Sequence, residues 1–360
     1  CRSATTSTAK QYSINLRHYI INMAKITYKG ITQNSSIEHK LTDEEFKQIA
    51  IDFYKKPDFI EVKKQLKKIH NGGTLMDKIY EYYLKEVMSK AIGPGASWSI
   101  YDGIHNKEIM EYFAGKTMVN KKIFPDTKTL AYNINTAFRL CGIRYCVKLP
   151  NFPIKTVDAI LDKYNVNGNW YDFSCGWASR MLGALHNNIN YFGTDPNNEL
   201  CDILNDICKD YKEVNKVDGP SVDIRCQGSE HYVKEWEGKI GLAFSSPPYY
   251  NLEDYQIGDQ SYKPGVSYND WLENYMRPTI KNIYKYLIDN GYFAINVKNF
   301  AEYKIEDSVK EIALQEGFEI YEIETLKNIK RCHGDVKSAR GDKEVSFNKN
   351  DEHIYVFKKA

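Results

Sequence analysis

Ile240-Gly241-Leu242-Ala243-Phe244 is an unbroken apolar run, and it stops at once in Ser245-Ser246-Pro247-Pro248-Tyr249-Tyr250. A short continuous run of this kind reads as a buried strand of a parallel sheet. Successive prolines fix φ and remove two backbone N–H donors, so the loop after the strand is held still. It presents carbonyl acceptors beside the hydroxyl oxygen of Ser246. A strand end made this way suits a ligand that donates hydrogens.

The segments before this strand repeat one pattern. Asn169 to Phe173 is a short strand that enters Ser174-Cys175-Gly176-Trp177-Ala178-Ser179-Arg180 and then a helix, Met181 to His186. A strand, a small-residue turn and a helix N-terminus bring backbone N–H groups and a positive dipole end to a ligand. Asn190 to Thr194 is the next strand and ends at Asp195, 23 residues after Asp172. A carboxylate there can accept both hydroxyls of a ribose, and Asp195-Pro196-Asn197 also reads as the cap of the helix Glu199 to Tyr211. The strand Ser221 to Cys226 leads into Gln227-Gly228-Ser229-Glu230. After the Pro-Pro loop come a long helix, Tyr268 to Ile288, a strand, Gly291 to Val297, a helix, Ile305 to Gln315, and strands Phe318 to Thr325 and His353 to Phe357. Four strands thus end in polar or small-residue loops at the edge where an open parallel sheet places ligands.

Ser246-Pro247-Pro248-Tyr249 resembles motif IV of S-adenosylmethionine-dependent amino-methyltransferases, and its Ser form is that most often found in DNA cytosine-N4 enzymes. Asp172 and Gly176 match motif I, Asp-Pro-Phe-x-Gly-x-Gly, while Phe173, Ser174 and Ala178 depart from it. Alanine at position 178 is expected to have a helical rather than left-handed backbone. Asp195 resembles motif II, and Thr156 to Tyr164 resembles the motif X helix. Ser229 and Glu230 stand at motif III, either of them a candidate reader of the adenine amine. The resemblance covers about the last 200 residues. It implies an α/β fold, a class I methyltransferase Rossmann-like sheet ending in an antiparallel hairpin, with S-adenosylmethionine held by Asp172, Ser174, Cys175, Gly176, Asp195 and Ser229 or Glu230.

On that resemblance the catalytic set is Ser246, Pro247, Pro248 and Tyr249, with no metal. Ser246 and the Pro247 carbonyl accept the hydrogens of a base amine, and Tyr249 stacks on the flipped base. The expected substrate is double-stranded DNA, with cytosine N4 preferred over adenine N6. Enzymes acting on RNA bases or protein glutamine share the Pro-Pro-Tyr geometry and usually carry Asn where Ser246 stands. A catalytically inactive DNA-binding or assembly protein of the same fold is the remaining alternative.

Of the 360 residues, 42% are hydrophobic and 27% charged, enough for a full core. No run approaches the roughly 18 apolar residues of a membrane span. None of the eight cysteines forms a Cys-x-x-Cys pair, which favours buried thiols in a reducing cytoplasm over disulfides or zinc. Residues 1–150 carry 24 Lys and Arg against 14 Asp and Glu, a net +10, and residues 151–360 carry 25 against 33, a net −8. The expected division is a disordered start over 1–30, a mainly helical basic domain over 31–150 and the methyltransferase domain over 151–360. In the basic part, Thr42 caps a helix containing Phe46, Ile49 and Phe53. A second helix sets Phe59, Val62, Leu66 and Ile69 against Lys63, Lys64, Lys67 and Lys68, and Asn71-Gly72-Gly73 stops it. Thr74 is expected to cap a third, running through Met88. The lysine face reads as solvated surface or as a track for a DNA backbone. Leu149 to Pro153 reads as a linker, and Leu326 to Asp351 as a basic insert between the last two strands.

Overall fold

The structure is a computed structural model and describes residues 24–28, 31–35, 40–92, 97–113, 152–164, 167–325 and 353–359. The insert Leu326 to Asp351, residues 149–151 of the linker and the start of the chain to residue 23 lie outside the described residues. The chain forms two compact units, one of residues 1–55 and 88–149, the other of 56–87 and 150–360.

In the first unit β1 (Ala24–Tyr28) and β2 (Ile31–Ser35) pair as an antiparallel hairpin, with Tyr28 opposite Ile31. A disordered start running to residue 30 is therefore not what the structure has over 24–28. Helix α1 (Asp43–Tyr54) begins in a capping box: the Thr42 hydroxyl accepts the Glu45 N–H, and the Glu45 carboxylate accepts the Thr42 N–H. Its Ile49 and Phe53 pack with Trp98, Ile100, Ile104, Met110, Tyr112 and Phe113.

The segment 56–87 belongs with the sheet, not with the preceding helix. Helix α2 (Phe59–His70) buries Val62, Leu66 and Ile69 and leaves its four lysines exposed. His70 is anchored on the sheet unit through Nδ1, 2.9 Å from the Tyr211 hydroxyl. Helix α3 (residues 77–89) includes a π turn, Tyr80–Leu84. Thr74 does not cap it. The N–H groups of Lys78 and Ile79 donate instead to Gln65 Oε1 on α2, at 2.8 and 2.9 Å, so a neighbouring helix supplies the acceptor that a local residue was expected to provide.

The second unit is built on β3 (Asn169–Asp172), β4 (Asn190–Thr194), β5 (Val222–Arg225), β6 (Ile240–Ser245), β7 (Leu287–Val297), β8 (Phe318–Thr325) and β9 (His353–Lys359). Their order is β5-β4-β3-β6-β7-β9-β8, parallel as far as β7 and antiparallel on both sides of β9. This is the mostly parallel sheet with a terminal antiparallel hairpin that the resemblance implies. All six residues of β6 are buried, as its apolar run requires. The helix at 154–164 precedes β3, and the connections from β3 to β4, β4 to β5, β6 to β7 and β7 to β8 pass through helices at 179–186, 198–215, 268–286 and 305–315. The helix at 268–286 ends two residues before the expected Ile288. Leu287 already pairs with Ile240, and β7 starts there rather than at Gly291. Within that helix a π turn, Leu272–Met276, comes just before Pro278, whose ring nitrogen cannot donate one turn back.

Candidate active site at the sheet switch point

The strand order reverses between β3 and β6, so the loops after these two strands open a crevice at their C-terminal ends. The turn after β3 is Asp172 to Ala178. Asp172 is fully buried and accepts from Arg180 Nε at 2.7 Å, the Tyr191 hydroxyl at 2.8 Å and the Ser174 N–H at 3.3 Å. Arg180 also donates through Nη2 to the Ser174 carbonyl and, at 3.4 Å, to Ser245 Oγ. The guanidinium thus ties the β3 turn to the end of β6. Cys175 is buried, with its N–H given to the Thr194 carbonyl at 3.1 Å. The Asp172 carboxylate and the Cys175 N–H therefore hold the turn in place, while Ser174, Gly176 and Trp177 are its partly exposed members.

Gly176 takes φ +58°, and Ala178 takes φ +67°, ψ −17°. The expectation of a helical backbone at Ala178 is thus corrected. The following helix starts from a left-handed residue, a conformation that packing of this buried methyl has to enforce.

Asp195 closes β4. Its carboxylate accepts the N–H groups of Asn197 and Gly176, so it braces the β3 turn and leads into the helix that Asn197 caps through Leu200. Burial pushes the Asp195 carboxyl up to about 6, against the lowering effect of those two N–H groups. Beside it, Pro196 and Asn198 belong to the wall of a cavity of about 450 Å³. Gln227, Gly228 and Glu230 after β5, Trp271 and Tyr275, and Gln260, Ser261 and Lys263 complete much of that wall.

The two motif III candidates differ in this cavity. Ser229 is 2% exposed and shares a hydrogen bond with Thr279 at 2.8 Å. Glu230 lies in the wall, and its Oε2 is buried with no hydrogen-bond partner. Burial raises its carboxyl above the ordinary range. Glu230 in the wall and Asp195, next to the wall residue Pro196, put two carboxylates at a space that suits a ligand rich in O–H and N–H donors.

The Pro-Pro loop does not line this cavity. It lies at the other side of the switch point, with Ser246 half-buried and Pro247 buried. Tyr249 is partly exposed and donates its hydroxyl to the Asn296 carbonyl at 3.1 Å, which fixes the ring. Tyr250, at φ +52°, is buried among Tyr262, Tyr268, Trp271 and Tyr303 and bonds the Val266 carbonyl at 2.6 Å. That aromatic cluster anchors the 251–266 segment, which supplies Gln260, Ser261 and Lys263 to the cavity. Sequence reasoning missed both this segment and Arg180. The turn residues Gly258, Pro264 and Gly265 marked a loop but not where it folds, and Arg180 carried no local signal beyond its place in the turn.

Among the described residues no helix is long and apolar enough to cross a membrane, and no group of His, Cys, Asp and Glu could hold a metal ion. Cys175, Cys201 and Cys208 are buried free thiols, and Cys226 is an exposed one.

No family model matches the sequence, and no curated protein matches it either. The chain is similar to an S-adenosylmethionine-dependent methyltransferase from Methanosarcina mazei, at 11% identity over 56% of this chain and 96% of that one, TM-score 0.37. It is similar to TrmN from Thermus thermophilus at 11% identity, over 59% of this chain and 51% of that one, TM-score 0.39. The cyclopropane synthase MmaA2 from Mycobacterium tuberculosis matches at 11% identity, over 57% of this chain and 84% of that one, TM-score 0.37. Likenesses of this size carry no weight for substrate or reaction.

Proposed function

We propose that the chain transfers a methyl group from S-adenosylmethionine to the exocyclic amine of a DNA base, with cytosine N4 as the preferred target and adenine N6 as the second. The observation that carries this reading is the position of Ser246-Pro247-Pro248-Tyr249 at the C-terminal edge of β6, across the switch point from a cavity that has Glu230 in its wall and Asp195 next to the wall residue Pro196.

The cavity and the carboxylate beside it fit an adenosine: Asp195 accepts the ribose hydroxyls, and the unpartnered Oε2 of Glu230 accepts from the adenine amine. Gly176 allows the β3 turn to pass close to the methionine end. When bound, S-adenosylmethionine would supply an electrophilic methyl to the amine nitrogen, leaving the electron pair of the broken C–S bond on sulfur, and the displaced amine proton would pass to bulk solvent as the product leaves. Ser246 and the Pro247 carbonyl accept the amine hydrogens and draw the nitrogen lone pair out of the ring plane. Tyr249, held by its hydroxyl, stacks on the ring. Positioning and exclusion of water lower the barrier, and no protein nucleophile is required.

Calorimetry with S-adenosylmethionine should give saturable binding that Asp195→Ala and Gly176→Asp weaken strongly. An intact chain that gives no heat defeats the reading. Transfer of labelled methyl is then followed on DNA, RNA and protein extract in parallel, with digestion to nucleosides and mass spectrometry. Label in N4-methylcytosine or N6-methyladenine of DNA supports the proposal and names the base; label in RNA or protein only, or in none, overturns it. Tyr249→Ala should cost on the order of 1–3 kcal/mol of stacking. Unchanged turnover in both Ser246→Ala and Tyr249→Ala removes the catalytic assignment. If Lys63, Lys64, Lys67 and Lys68 meet DNA phosphates, affinity falls steeply with salt.

A further inference from the structure

Strand β7 runs parallel to β6 with Ser245 opposite Ile295, so the residues one step on, Ser246 and Asn296, stand side by side at the sheet edge. Asn296 is 3% exposed. Its Nδ2 is 3.4 Å from Ser246 Oγ and 3.4 Å from the Tyr249 hydroxyl oxygen. The Tyr249 hydroxyl has one proton and gives it to the Asn296 main-chain carbonyl at 3.1 Å. Toward the Asn296 side chain that oxygen can only accept, which sets the amide nitrogen, and not Oδ1, against it. Oδ1 is then left buried with no hydrogen-bond partner. An acceptor in that state destabilises the fold, and a purely structural asparagine would have no use for it.

We propose that Asn296 touches the substrate: its Oδ1 accepts one hydrogen of the planar NH2 group, while Ser246 Oγ, held by the Asn296 amide nitrogen, accepts the other. This rests on the reading of the Pro-Pro loop as the methyl-acceptor site and goes beyond it. It adds a residue on a strand 50 positions downstream and makes the site selective for NH2 over the isosteric C=O. An oxygen in place of NH2 would face Asn296 Oδ1 acceptor to acceptor, with no hydrogen between them, even where the Ser246 hydroxyl turns to donate.

The test is equilibrium binding, separate from turnover. Fluorescence anisotropy compares oligo-deoxycytidine with oligo-deoxyuridine, and oligo-deoxyadenosine with oligo-deoxyinosine, on wild type and Asn296→Leu. Wild type should favour the NH2-bearing oligomer of at least one pair by up to about tenfold, the equivalent of one hydrogen bond, and Asn296→Leu should lose that preference. Asn296→Leu should also melt at or above the wild-type temperature, because it removes an unsatisfied buried acceptor. A preference that survives in Asn296→Leu overturns the proposal, as does a wild type that binds both members of each pair equally. A marked fall in melting temperature assigns Asn296 a structural role only and overturns it too. None of these outcomes is the absence of methyl transfer, which is what would defeat the reading of the site itself.

Discussion

Arg180 Nε lies 2.7 Å from Asp172 Oδ2, with both side chains closed off from solvent. Asp172→Ala would leave the guanidinium buried without its counter-ion, a loss of about 3–5 kcal/mol, whereas an exposed pair would cost about 0–1. Urea denaturation should show the larger figure. A loss below about 1 kcal/mol would mean that the pair does not hold the β3 turn to β6.

Ala178 sits in the left-handed region with its methyl fully buried. Ala178→Gly relieves about 1–2 kcal/mol of backbone strain but gives up about 0.8 kcal/mol of buried methyl, so stability should stay within about 1 kcal/mol of wild type. Ala178→Val adds a branched side chain where φ is positive and should cost about 1–3 kcal/mol. Equal stability of the two variants in urea would contradict the left-handed turn.

Asp195 titrates at about 6 in the folded chain against an ordinary 3.8, mainly through burial. A raised carboxyl favours the protonated form in the fold, so this group contributes stability on the acid side that is lost as pH rises through about 6. Binding of a ribose diol needs the ionised form and changes in the opposite sense. Affinity for S-adenosylmethionine should fall about tenfold per unit below pH 6 and level off above pH 7. Calorimetric titrations across that range check it, and Asp195→Asn should be weak and flat.

A Cβ at Gly228 would run into the Glu230 carboxylate. The obstacle is the far end of a flexible side chain, so Gly228→Ala should fold with a stability change within about 1 kcal/mol. Glu230 would swing away from the cavity. Affinity for the cofactor should then fall to that of Glu230→Ala, and a Gly228→Ala protein that binds as wild type would remove Glu230 from the adenosine site.

Much of the fold was legible in the sequence because its signals are local. The apolar run Ile240–Phe244 and the alternation of strands with capped helices are written within single segments, and the structure places Asn190–Thr194, Ile305–Gln315 and Phe318–Thr325 as read. The hydroxyl–proline–proline–aromatic order of the Pro-Pro loop is local in the same way. What only tertiary structure decided are the choices that depend on partners far along the chain. Gln65 replaces Thr74 as the acceptor at the start of α3, and 56–87 joins the sheet through contacts such as His70 with Tyr211, 141 residues away. Packing imposes a left-handed backbone on Ala178, which its own preference opposes. Ser229 and Glu230 are adjacent in sequence, yet one is spent on Thr279 and the other faces a cavity. Asn296 reads in sequence as one more residue of a buried strand. It becomes a neighbour of Ser246 only when β7 docks on β6 in one register, because a side chain's periodicity tells which face it takes and not which strand lies beside it.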